Sequence, residues 1–106
     1  MYNLVVYIPE SHLDTVKQAL FNKGAGRFHN YDCCAWQVAG TGQYRALENS
    51  KPFIGLQNHF ETVPEYRVEM ICQDEFLKDV LTELKRVHPY EEPAYHAIRI
   101  TTINDL

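Results

Sequence analysis

The chain has 106 residues, of which 45% are hydrophobic and 23% charged, a size and composition typical of one globular domain. Ten basic and fourteen acidic residues give a net charge of −4 without any basic run, so binding to nucleic acid through its phosphates is not expected. The apolar run at the amino terminus stops at Pro9, too short for a secretory signal or a membrane span, and three cysteines disfavour a disulfide-stapled secreted scaffold. We therefore expect a cytoplasmic protein with a single domain over residues 1–106.

The first elements along the chain are a strand and a helix. Residues 2–8 are rich in β-branched and aromatic side chains and carry apolar groups on both faces, which predicts an inner strand. Ser11 and Asp14 predict a capping box at the start of the helix, and Gly24 suits the left-handed residue that ends it. The helical stripe between them consists of Leu13, Val16, Leu20 and Phe21.

The middle of the chain predicts a second strand followed by a long excursion. Residues 33–40 are typical of a strand, in which Cys33 and Cys34 would point to opposite faces and serve as small apolar fillers. Residues 40–64 contain several turn formers and short apolar clusters, with room for a hairpin. A loop of that length in so small a domain is usually functional or an interface.

The second half of the chain repeats the strand and the helix. Residues 65–72 alternate between apolar and polar side chains and predict a third strand. Asp74 predicts the cap of an amphipathic helix, and Pro89 ends that helix near Val87. A last strand is predicted over residues 94–103.

The order of these elements predicts an α+β, ferredoxin-like (βαββαβ) fold, an antiparallel sheet with both helices on one face. The helix-free face carries Val5, Tyr7 and Ile71, so we expect it to lie against another copy of the chain. The alternative is a monomer in which the excursion covers that face.

Four segments then stand out in order along the chain: GAGRFHNYDCC, GTGQYRALENSKPFIG, ETVPEYRVEMIC and HPYEEPAYH. They resemble the PII/CutA-like domain that is inserted in the dinuclear-metal-centre hexameric (Nif-three-like) proteins, and HPYEEP alone also resembles the CutA divalent-cation tolerance proteins. The resemblance implies a PII/CutA-like ferredoxin-like fold, a homotrimer and a cytoplasmic location. Only the insert-like domain is matched, so the dinuclear metal centre and any hydrolase activity tied to it are not expected here.

The predicted fold brings several polar residues to one end of the sheet, where the loop after the first strand, the excursion and the turn after the second helix meet. Imidazole and carboxylate groups suit zinc and related divalent ions, so we hypothesise a metal or small-anion site at this end. The alternative is that His88 caps carbonyl groups, Tyr90 packs under the turn and the glutamates are solvated. The candidate metal ligands are His12, His59, His88, Glu91 and Glu92.

Candidate interface or ligand-binding residues are Trp36, Phe53, Ile54 and Tyr90. Phe53 and Ile54 lie between a proline and a glycine, and they either tuck under their own loop or reach a neighbouring subunit. Trp36 is interpreted as a core or interface residue, with ligand stacking as the alternative. No phosphate-binding glycine motif is present.

The expected function is that of a non-catalytic binding or regulatory module. It would form a homo-oligomer and bind a divalent metal or a small ligand at clefts between subunits. The alternative is a purely structural domain that binds a protein partner. A metal-dependent hydrolase is disfavoured, because no nucleophile, base and orienting group are discernible together.

Overall fold

The computed structural model describes residues 1–106 as one antiparallel sheet with two α-helices. The strands are β1 (Tyr2–Pro9), β2 (Trp36–Arg45), β3 (Phe60–Cys72) and β4 (Tyr95–Arg99), and the helices are α1 (Leu13–Asn22) and α2 (Asp74–Val87). The strands lie in the order β2-β3-β1-β4, and all neighbouring strands are antiparallel. The predicted ferredoxin-like fold is therefore confirmed, with β1 as an inner strand.

The hydrophobic core lies between one face of the sheet and both helices. The strand register sets this face, since Leu4 of β1 lies opposite Met70 of β3 and Val6 lies opposite Val68. Side chains of one strand face alternate with period two, so all four point to the same side. The buried helical residues that pack against them are Val16 and Leu20 of α1 and Val80 and Leu84 of α2.

The hairpin of β2 and β3 is much longer than the sequence predicts. Its ladder runs from Trp36 opposite Glu69 to Arg45 opposite Phe60, which reduces the excursion to residues 46–59. The predicted start of β2 at Cys33 is wrong, because Cys33 has a positive φ of 54° and lies in the preceding loop. Cys33 is exposed, so its interpretation as an apolar filler is wrong as well.

The helix caps also differ from the prediction. The N-cap of α1 is His12, without a side-chain cap, after a 3₁₀ turn over Glu10–His12, so the predicted capping box is wrong. Asp74 is the first residue of α2 rather than its cap. Its carboxylate instead accepts hydrogen bonds from the Met1 amino group at 2.6 Å and from Arg99 Nη1 at 3.1 Å, which lower the pKa of Asp74.

The chain after β4 also departs from the predicted strand. The pairing with β1 ends at Arg99, and residues Ile103–Asp105 form a 3₁₀ turn. None of the helices combines the length and the apolar character needed to cross a membrane.

On the helix-free face of the sheet, the exposed apolar side chains lie on the two edge strands. Val5 is only 1% exposed, flanked by its cross-strand neighbours Glu69 and His96, so it needs no cover from another copy. The exposed apolar side chains are Trp36 (60%) and Val38 (45%) on β2 and Ile98 (56%) on β4.

Candidate functional site

A cleft of about 460 Å³ lies where the turn after α2 meets the excursion and the far end of the β2–β3 hairpin. We refer to it as the Tyr44–Tyr90 cleft. Its lining includes Tyr44, Phe53, Glu65, Tyr90, Glu91 and Glu92. The sequence prediction that the HPYEEP turn and the excursion meet at one end of the sheet agrees with this position.

His88 fixes the turn that forms one wall of the cleft. The residue is 5% exposed, and its Nε2 lies 2.7 Å from the Tyr7 carbonyl oxygen. Its Nδ1 accepts a hydrogen bond of 3.1 Å from the backbone N–H of Tyr90. Both contacts are satisfied only by a neutral imidazole with its proton on Nε2. Burial lowers the pKa of His88, which favours the same neutral form.

Tyr90 extends from this turn towards β3. Its hydroxyl donates a hydrogen bond of 2.8 Å to Glu65 Oε2. Burial, and next the carboxylate of Glu65, raise the pKa of Tyr90 well above its ordinary value, so the phenol stays protonated as the donor. Glu65 is half-buried and forms no ion pair with any basic group of the chain.

A glycine on the neighbouring strand leaves room for the Glu65 carboxylate. A Cβ at Gly42 would collide with Glu65 Oε1, whereas a Cβ at Gly40 would meet nothing within 4 Å. Glycine within a strand often marks such a close approach. Gly42 therefore shapes the cleft, although Gly40 on the same strand does not.

Three aromatic rings form a continuous wall of the cleft. The ring centroids of Tyr44 and Tyr90 are 6.3 Å apart, as are those of Phe53 and Tyr90. The Tyr44 hydroxyl donates to the carbonyl oxygen of Ile54 and so fixes the excursion against β2. Phe53 also packs edge-on against the ring of His12 at 5.4 Å, yet it remains 49% exposed.

The five candidate metal ligands do not assemble within one chain. Both ring nitrogens of His88 are used in protein hydrogen bonds, and Glu91 Oε1 lies 3.3 Å from the backbone N of Lys51. The chain contains no group of three or more histidine, cysteine, aspartate or glutamate residues that could hold a metal ion. His88 therefore does not fit a zinc site. His59, Glu91 and Glu92 are exposed, and a metal bound at a cleft between copies stays a prediction.

Ile54 and Trp36, the two other candidate residues, do not line the cleft. Ile54 is half-buried in the excursion. Trp36 lies at the start of β2, beside a second, mostly apolar groove that also contacts Asn3, Phe28 and Ile71, and so it is far from the HPYEEP turn in the fold.

Sequence reasoning missed Tyr44, Glu65 and Gly42. The only local signal for them was the pair of glycines at positions 40 and 42 inside an extended segment. The contact between Glu65 and Tyr90 depends on the tertiary fold, so no spacing in the sequence indicates it.

The fold and the cleft together define a small α+β domain of the CutA- and PII-like class. No family model matches the chain. In sequence it is similar to the GTP cyclohydrolase 1 type 2 homologs of Halalkalibacterium halodurans (41% identity over 95 residues, 90% of this chain and 26% of that protein) and Bacillus subtilis (39% over 92 residues, 87% and 25%). The chain therefore spans about a quarter of the length of these curated relatives.

Solved structures also show the similarity to these relatives and to CutA. A Bacillus cereus protein related to NIF3 superposes with a TM-score of 0.80 at 31% identity, over 95% of this chain and 26% of that one. CutA1 from Pyrococcus horikoshii OT3 superposes with a TM-score of 0.66 over 99% of this chain and 88% of that one, and its 19% identity shows the fold alone. The resemblance to the Nif-three-like proteins and to CutA that the sequence motifs predict is thus confirmed.

Proposed function

We propose that the chain acts as a non-catalytic binding module that forms a homotrimer and binds a small ligand in the Tyr44–Tyr90 cleft, at the boundary with a neighbouring copy. The observation that carries this proposal is the convergence of aromatic and polar side chains from three separate segments in one cleft. A concave site with an apolar lining and a few fixed polar groups is typical of small-molecule binding.

Exposed apolar side chains support self-association next to the cleft. Leu56 of the excursion and Phe60 at the start of β3 are 69% and 70% exposed. Trp36 and Val38 expose further apolar surface on β2, which is an edge strand of ten residues with one unpaired edge. Such surface is typical of a contact between proteins. The trimeric state itself is supported by the family resemblance.

A protein partner is the second candidate. The mostly apolar groove beside Trp36 supports it, because a shallow apolar surface fits another protein better than a small polar ligand.

Catalysis is not part of the proposal. The relatives' name describes an activity of much longer proteins. This chain spans only about a quarter of their length. We also propose the cytoplasm as the location and leave a divalent ion such as zinc, shared between copies, as a further ligand to test.

Native mass spectrometry of the purified protein tests the proposal. The expected result is a species with the mass of three chains that retains a small ligand under mild activation. The Glu65→Gln variant should keep the subunit count and lose the ligand, since only the cleft is changed. A solitary chain without any bound ligand would contradict the proposal. Turnover of GTP that a chelator abolishes would instead support the hydrolase.

A further inference from the structure

The half-buried carboxylate of Glu65 lacks a positively charged partner. Its one side-chain hydrogen bond comes from the Tyr90 hydroxyl, and the four ion pairs of the chain all involve other acidic residues. A carboxylate that is partly shielded from water interacts more strongly with a nearby cation than a fully solvated one does. The chain itself does not supply that cation.

The charge of the whole cleft is negative. Its lining contains three glutamates, Glu65, Glu91 and Glu92, against the single arginine Arg45. The guanidinium of Arg45 lies over the ring of Phe60, 5.3 Å from its centroid, and so has a partner of its own. Burial and then the carboxylates of Glu61 and Glu65 raise the pKa of Tyr44, as expected where negative charge dominates.

The aromatic wall favours an organic cation over a metal ion as the positively charged ligand of the cleft. The faces of tyrosine and phenylalanine rings attract ammonium and guanidinium groups. A metal ion would need several converging ligand side chains, and no such group of three is present. A phosphate or other anion would be repelled by the glutamates.

From these observations we propose that the Tyr44–Tyr90 cleft binds a small organic cation, an ammonium or guanidinium compound, with Glu65 as its counter-ion and Tyr44, Phe53 and Tyr90 as the wall on which it packs. This proposal rests on the proposed function and names the class of ligand. The cleft volume of about 460 Å³ accommodates a molecule of metabolite size.

Isothermal titration calorimetry tests this inference with defined probes. Tetramethylammonium, putrescine and guanidinium chloride are titrated into the wild type, with inorganic phosphate and zinc chloride as comparison ligands. At least one organic cation should bind, and Glu65→Gln should weaken it about tenfold or more by removing the counter-ion while keeping an acceptor for Tyr90. Glu75→Gln is the matched control, because it removes the same charge from an exposed site at the opposite end of α2.

Each outcome separates the two proposals. Equal weakening by both variants would indicate a nonspecific charge effect and overturn the cation site. Binding of phosphate or zinc alone, lost in Glu65→Gln, would overturn the cation class but leave a ligand-binding module. Binding of no probe would overturn the cation site and leave the ligand-binding module to be decided by native mass spectrometry. If no cation binds and native mass spectrometry gives a lower subunit count for Glu65→Gln, a lysine or arginine of another copy occupies the cleft. That result would overturn the proposal that a free organic cation binds there.

Discussion

His88 Nε2 donates a hydrogen bond to the carbonyl oxygen of Tyr7, a residue 81 positions earlier, across 2.7 Å. This contact joins the turn after α2 to the central strand β1. The same ring accepts the backbone N–H of Tyr90, whose hydroxyl then reaches Glu65. The position of the Tyr90 side chain in the cleft therefore depends on a neutral His88.

The first prediction is that the protein loses stability as the pH falls below about 6.5, the ordinary pKa of histidine. Burial lowers the pKa of His88 in the folded state, so the unfolded chain takes up the proton first. The free energy of unfolding should be constant above the unfolded pKa and decrease from there towards the lowered folded pKa. Urea denaturation at about pH 7.5 and at about pH 5 measures this difference.

Other titratable groups also affect the pH dependence of stability, and the control variants have to separate them from His88. Glu65 raises and His12 lowers the pKa of His88, and both weigh less than burial. Asp74 and Glu83, whose pKa values are lowered, lose their contributions only in a more acidic range. His88→Asn should remove much of the dependence between the two pH values, whereas His59→Asn, at an exposed position, should keep it. An unchanged dependence in His88→Asn would contradict the assignment.

The second prediction concerns the hydrogen bond between Tyr90 and Glu65. Tyr90→Phe keeps the ring but leaves the half-buried carboxylate without its donor, so it should cost about 1–3 kcal/mol in the free energy of unfolding. Tyr31→Phe is the control, because Tyr31 is 72% exposed and should change stability by less than about 0.5 kcal/mol. Chemical denaturation of both variants at neutral pH provides the measurement, and equal stabilities would argue against the contact.

The third prediction compares two glycines of β2. Gly42→Ala should displace the Glu65 carboxylate and so weaken its bond to Tyr90, whereas Gly40→Ala should be neutral or slightly stabilising because its Cβ has open space. Because Gly42→Ala and Tyr90→Phe act on the same contact, the double variant should lose less stability than the sum of the single losses. Strict additivity in this double-mutant cycle, measured by urea denaturation, would mean that Gly42 does not act through Glu65.

The elements that pack against the core were predictable from the sequence. β1, α1 and α2 each carry a periodic apolar stripe, and Leu4, Val16 and Val80 on those stripes are fully buried. β2 lacked such a signal because nearly all of its residues are exposed. Its length is set by pairing with β3, a tertiary interaction that leaves little trace in local composition.

The site was predictable only in its location. The HPYEEP turn indicated the right end of the sheet, because a proline after the helix and a cluster of polar residues are local signals. The role of His88 differs from that of a metal ligand, since its ring is buried against Tyr7, a residue remote in sequence. The pairing of Tyr90 with Glu65 likewise requires the folded register of β3.

The last prediction addresses the helix-free face of the sheet. Val38 is 45% exposed on that face and lies opposite Arg67, so Val38→Glu should be tolerated by the isolated fold. If a copy of the chain covers this face, the new carboxylate would be buried in the interface and association should weaken about tenfold or more. Ile103→Glu, at an 80% exposed position in the carboxy-terminal 3₁₀ turn, is the matched control. Sedimentation equilibrium should give a smaller species for Val38→Glu only; a full assembly in both variants would place the contact between copies elsewhere on the chain.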